Sequence, residues 1–233
     1  MKRTPERKRA VGRRPAGKPE RGTRSEILAS ARRVFARKGF DGTSMREVAD
    51  AARVNNAMIY YHFKNKVELY RAVLSDSFTA FDRIWDHDIF SGPATARQQI
   101  RQYVEELILF HQANEELRRI ISMEFATSGR NLKWLAEHLF RHSNRKLERI
   151  IRQGIRSGEL KRMDPQVAIA ALVGMIIHTF IMRPVAEFVS GRVLNLSARR
   201  FGDFVCEMFF DGLGVLNRKS TRASALLRRT AEA

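Results

Sequence analysis

Ser44-Met45-Arg46-Glu47 and, shortly afterwards, Asn55-Asn56 are two helix starts so close together that only a short helix and a tight turn fit between them. Ser44 with Glu47 three residues on is a capping box. The hydroxyl takes the N–H of the third helical residue and the carboxylate reaches back to the N–H of the cap. Met45, Val48, Ala49 and Ala52 give this helix an apolar side, and Arg53-Val54 makes the connection to Asn55. Asparagine is a good N-cap, so a third short helix is predicted from Asn56 to about Tyr61. Ahead of the pair, Ile27, Leu28, Ala31, Val34 and Phe35 recur at helical spacing, with Arg32, Arg33, Arg37 and Lys38 on or beside the opposite side. Gly39 is predicted to end that helix in a left-handed cap, with Phe40 folding back on the last turn. Two short helices joined by a turn of three or four residues make a helix-turn-helix.

The remaining pattern is helical too. Lys64-Asn65-Lys66 opens a long helix with Val67, Leu69, Tyr70, Val73, Leu74, Phe78, Phe81, Ile84 and Trp85. Past the Ser91-Gly92-Pro93 break, amphipathic stretches are predicted near 94–112, 115–127, 132–157, 165–189 (kinked at Pro184) and 197–216. No strand alternation interrupts them, so the fold class is all-α: an N-terminal three-helix DNA-binding unit joined by a long helix to a larger helical domain. The expected division is a basic disordered arm at 1–23, the helix-turn-helix domain at 24–70, a larger helical domain at 71–217, and a basic disordered tail at 218–233.

Charge narrows the partner. The chain of 233 residues carries a formal net charge of +18, which calls for something of opposite sign. Much of the excess lies at the two ends: ten bases against two acids in residues 1–24, and five against one in residues 217–233. Their Pro, Gly, Arg and Lys content argues disorder. No apolar segment follows the basic N-terminus, so a secretory signal is not expected. The longest apolar run, Val167 to Met182, falls short of the roughly 18–20 residues of a membrane span, and a buried helix is expected there instead. The single cysteine, Cys206, suits a reducing cytoplasm.

The third helix opens a stretch reading NNAMIYYHF from Asn55 to Phe63. The major groove admits one α-helix, and groups near that helix's N-terminus reach base edges. An amide can pair bidentately with adenine, and a small or thioether side chain can pack on a thymine methyl. Asn56, Ala57 and Met58 therefore suit sequence reading, with Asn55 beside them at the helix start where DNA is met. Tyrosine hydroxyls, an imidazole and the Lys66 ammonium at the far end can hold phosphates.

Between Arg24 and about Leu69 the chain resembles the DNA-binding domain of the TetR (tetracycline repressor) family. The likeness rests on ILASARRVFARKGFDGTS, MREVADAA and VNNAMIYYHFKNKVEL. It implies phosphate contacts from Thr43 and Ser44 and a base-side position for Met45. Groove-facing positions follow for Asn56, Ala57 and Tyr60, backbone contacts for Tyr61, His62 and Lys66, and packing for Phe63. Family members usually have glycine where Arg53 stands, so either the turn is strained or its geometry differs; Arg53 could also reach a phosphate. The basic arm could add contacts in an adjacent minor groove.

The resemblance further implies a double-stranded DNA operator, a small-molecule effector of unknown identity and a homodimer. Its ligand cavity would lie among Trp85, Tyr103, Phe110, Phe125, Trp134 and Met175, with His138, His178 and Thr179 as polar groups. Residue pattern places the dimer interface on the last two helices, naming Leu172, Met175, Phe201, Val205, Met208 and Phe209. No cofactor or metal is expected, since His138/His142 and Asp86-His87-Asp88 lack convergent ligands. No Ser-His-Asp set or phosphate-cradling glycine loop points to an enzyme. The expected function is a sequence-specific transcriptional regulator, a homodimeric repressor released from a palindromic operator by its ligand. A sequence-tolerant architectural binder and an activator are the alternatives.

Overall fold

The computed structural model describes residues 20–213 except 88, 89, 128, 130 and 195. Residues 1–19 and the predicted tail lie outside the described residues. Helix α1 (Glu20–Lys38) is followed by α2 (Met45–Ala52), α3 (Asn56–His62) and α4 (Lys66–Asp82), which leads into a 3₁₀ turn (Arg83–Asp86). Then come α5 (Ala96–Ala113), α6 (Glu115–Ala126) and α7 (Leu132–Leu135), which passes through a π turn (Ala136–Phe140) into α8 (Arg141–Arg156). Last are α9 (Pro165–Ser190) and α10 (Ala198–Leu213). The fold is all-α, and no strand occurs among the described residues. Helix α1 starts inside the stretch predicted as an arm; residues 20–23 carry no apolar position by which periodicity could have placed them.

Local signals act as their chemistry requires. The Ser44–Glu47 capping box is present in both directions, and Gly39 takes φ +69° at the end of α1. Ile27, Phe35, Val48, Ile59, Phe63 and Leu69 close a small core for α1 to α4. Within it Phe35 and Phe40 each meet the Tyr70 ring edge-on at 5.0 Å. Helix α5 is the centre of the larger body, burying Ile100, Val104, Leu107 and Ile108 against α8, α9 and α10. Trp85 is buried there, donating from Nε1 to Ser143 Oγ at 2.9 Å and stacking on Tyr103 at 5.3 Å.

Helix α9 corrects the expectation of a buried helix. It runs on through Pro184, and only 33% of its most apolar stretch is buried within the chain. Ala168, Ile169, Leu172, Ile176 and Phe180 face inward, while Val167, Ile181, Met182, Val185, Phe188 and Val189 stand exposed. Leu172, Phe201, Val205 and Phe209, expected at a dimer interface, are instead core residues of the subunit. Helix α10 packs mainly on α5, which takes up its inward side and leaves Phe204 and Met208 outside.

Candidate nucleic-acid interface

Helix α3 is anchored from beneath by Ile59 and by Phe63 at its C-cap, at 0% and 1% exposure, so Asn56, Ala57, Tyr60 and Tyr61 are carried on its outer side. Asn56 and Ala57 are exposed on its first turn, and Tyr60 and Tyr61 on its last, at 49% and 67% exposure. Asn55 Oδ1 accepts from the Met58 N–H at 2.8 Å. Its oxygen therefore caps the helix, and its amide N–H₂ is the group left to meet DNA. His62 is half-buried between Tyr61 and Phe63, and its Nε2 has no partner among the described residues.

Three expected contact residues have other duties. Thr43 is 3% exposed and donates its hydroxyl to the Gly39 carbonyl at 2.7 Å, tying down the loop after α1. Met45, expected near a base, is buried in the core on the inner side of α2. Lys66 is partly spent on the same loop: Nζ donates to the Thr43 carbonyl at 2.9 Å and stands 4.5 Å over the Phe40 ring. Ser44 is exposed but shares its hydroxyl with Glu47. The Lys38 ammonium and the Ser44 donors hold the Glu47 carboxyl at about 2, so it stays anionic at neutral pH. Two exposed bases escaped the sequence reading, Arg46 in the first turn of α2 and Lys64 between α3 and α4. Their place beside the helix-turn-helix was the available signal.

Arg53 makes the turn itself. Its φ of 57° and ψ of 37° are left-handed, and among the described residues no other non-glycine has positive φ. The side chain is exposed. Removing Cβ relieves about 1–2 kcal/mol of local strain, so Arg53→Gly should raise the melting temperature by several degrees. An unchanged operator affinity in the same variant would show that the guanidinium makes no phosphate contact.

In the body, the residues expected to line one ligand site fall into separate groups. Trp85 and Tyr103 stack, and Phe110 joins them through Phe81, whose ring is 4.8 Å from Phe110 and 6.2 Å from Tyr103. Trp134 stacks on His138 at 4.9 Å, with His138 exposed and its Nδ1 3.0 Å from the Trp134 carbonyl. Phe125, 45% exposed, joins the Phe110 group through Phe140 at 6.4 Å and Phe78, whose ring is 5.6 Å from Phe140 and 5.7 Å from Phe110. Thr179 donates to the Met175 carbonyl at 2.7 Å, and His178 faces outward on α9 rather than into a core or pocket.

A short capped helix carrying exposed amide and aromatic groups, locked against a partner helix by a three-residue turn, defines a helix-turn-helix DNA-binding protein. Residues 27–73 match bacterial regulatory proteins of the tetR family, and residues 93–180 match the tetracyclin repressor-like C-terminal domain. The chain belongs to the TetR family and is a DNA-binding transcriptional regulator. It is 30% identical over 103 residues to the probable HTH-type transcriptional regulator YttP of Bacillus subtilis, covering 44% of this chain and 50% of that protein. It is 38% identical over 122 residues to the HTH-type transcriptional activator FasR of Mycolicibacterium smegmatis, covering 46% and 52%. The chain thus spans about half the length of these two relatives. A crystal structure of the transcriptional regulator FadR from Bacillus subtilis with stearoyl-CoA shares the fold, with TM-score 0.66, 22% identity, and coverage of 81% of this chain and 98% of that one.

Proposed function

We propose that the protein is a cytoplasmic homodimeric repressor that reads a palindromic operator through α3 and leaves it when a small ligand binds the body. The carrying observation is the outer side of α3, where Asn56, Ala57, Tyr60 and Tyr61 are exposed on a helix fixed by Ile59 and Phe63. Asn56 and Ala57 read bases; Tyr60, Tyr61 and the neighbouring bases Arg46, Arg53 and Lys64 set position on phosphates. Two copies related by a two-fold axis match two half-sites.

The exposed apolar side of α9, with Phe204 and Met208 of α10, supports the dimer. A ligand acts through its differential affinity for the DNA-fitting and non-fitting arrangements of the two heads. The aromatic cluster around Phe81 and Phe110 supports an apolar or amphipathic ligand, as does the acyl-CoA seen with FadR. The relative named as an activator supports the second reading, that binding raises transcription; a reporter placed behind the operator separates the two.

The test is selection of bound sequences from random DNA at near-physiological salt, with wild type and Asn56→Ala side by side. A palindrome is expected to emerge, and the variant should lose preference at one base pair in each half-site, worth about 1–3 kcal/mol. Equal, salt-sensitive binding of all sequences by both proteins would indicate an architectural binder and overturn the reading.

A further inference from the structure

The DNA-reading head and the body meet at a recess of about 170 Å³. Gly39 and Phe40 of the α1–α2 loop and Tyr70 of α4 line it from the head; Ile120 and Met123 of α6 and Asn131, just ahead of α7, line it from the body. Glu124 joins the two sides. Tyr70 Oη donates to Glu124 Oε2 at 3.0 Å, and the Asn131 backbone N–H donates to Glu124 Oε1 at 2.7 Å. Burial and the Glu124 carboxylate push the Tyr70 phenol up, so it remains a donor. Glu124 is 4% exposed, and each of its oxygens keeps a further lone pair.

The unusual group is the Asn131 carboxamide. Asn131 is 1% exposed, and neither Nδ2 nor Oδ1 has a partner among the described residues. Native proteins leave few buried polar groups unmatched, and an amide with both ends open asks for an outside partner. Its complement presents an acceptor beside a donor. A primary amide does so in one plane, and its second N–H can reach the Glu124 carboxylate. A carboxylate ligand would have to be placed beside the Glu124 anion, and Lys38, the base among the described wall residues, is already paired with Glu47. Phe40, Ile120 and Met123 can receive an apolar body, in a space similar to the roughly 150 Å³ of cavities that accept benzene.

We propose that this head–body recess is a binding site for a small primary amide carried on an apolar or aromatic body of about benzene size, held by Asn131 and Glu124. It is distinct from the aromatic cluster of the body. Its walls belong to both the DNA-reading head and the body, so an occupant ties their relative placement; this coupling to DNA rests on the repressor reading, whereas the binding itself does not.

The experiment uses the full chain and titrates benzamide and benzoate by saturation-transfer NMR and calorimetry, with operator affinity measured on the same samples. Benzamide should bind wild type, and at least tenfold more weakly Asn131→Leu; benzoate should not bind. Met123→Trp, which fills the recess without touching its polar groups, should lose benzamide as well and covers the case in which Asn131→Leu fails to fold. Absence of benzamide binding to wild type at its solubility limit, equal binding of benzoate, or undiminished binding by the folded variants would overturn the site and leave trapped water as the partner of Asn131. Intact operator binding with no benzamide effect would overturn only this inference; loss of sequence preference without change in benzamide binding would overturn only the repressor reading.

Discussion

Ile181→Glu combined with Val185→Glu is expected to give a folded monomer that binds its operator about 10²–10⁴-fold more weakly, the range lost when two linked contacts become one. The two positions sit one turn apart on the outer side of α9, at 42% and 52% exposure. Around them Met182, Phe188 and Val189 continue the apolar surface, while Ala170, Ala171 and Gly174 keep the preceding turns low enough for a second helix to approach closely. Large exposed apolar patches of this kind are rare on monomers and mark interaction surfaces. Two carboxylates brought into such an interface lose their water with no countercharge. In the separate subunit they remain solvated, so the fold should survive. Sedimentation velocity reads the mass, and fluorescence anisotropy with operator DNA reads the affinity. A variant that stays dimeric would move the interface off this side of α9.

This surface also shows how far sequence pattern reaches. Helices α9 and α10 are apolar over much of their circumference, and periodicity says that such helices are covered without saying by what. Of the α10 residues expected at the interface, Phe201, Val205 and Phe209 are covered by their own subunit, while Met208 is left outside together with Phe204. Only the position of α5 against α10 separates the two sets. The head was far more legible because its signals are local. The Ser44–Glu47 box, the Asn55 cap and the left-handed Gly39 act within a few residues of themselves. The unusual Arg53 in a glycine place does take the left-handed conformation that such a turn demands.

Side-chain direction was the limit within the head. Thr43 and Lys66 carry polar groups suited to phosphate, yet the loop after α1 offers them carbonyls at 2.7 and 2.9 Å, and both residues donate to these. Met45 lies on the α2 side that meets α1, a packing fact rather than a sequence fact. The Tyr70–Glu124–Asn131 set was not legible at all. Tyr70 and Glu124 stand 54 positions apart, and nothing in the flanking pattern marks either as a partner of the other.

Between pH 7 and pH 4 the protein should lose stability through His111, by about 3 kcal/mol over the whole window, an order-of-magnitude conversion of the shift at 1.36 kcal/mol per unit. His111 is 7% exposed on α5, and burial, then the nearby Arg118 guanidinium, hold its imidazolium pKa at about 4, below the ordinary 6.5. The folded state therefore keeps the ring neutral. Above the unfolded value both states are neutral and the stability is complete; as pH falls from 6.5 towards 4, the unfolded chain takes up a proton that the folded chain refuses. The ring lies 5.7 Å from Phe180 of α9, and Arg118 of α6 both donates to the His111 carbonyl and stands 5.1 Å over Phe180. A second positive charge here would separate α5 and α6 from α9, the helix that carries the outer apolar surface. Urea unfolding of wild type and His111→Leu at pH 7 and pH 4.5 isolates this contribution from the carboxylates, which both proteins share. Wild type should lose more stability than the variant over that interval. Parallel losses would mean that the folded protein accommodates a protonated His111, and that acid acts on the α5–α6–α9 junction through other groups.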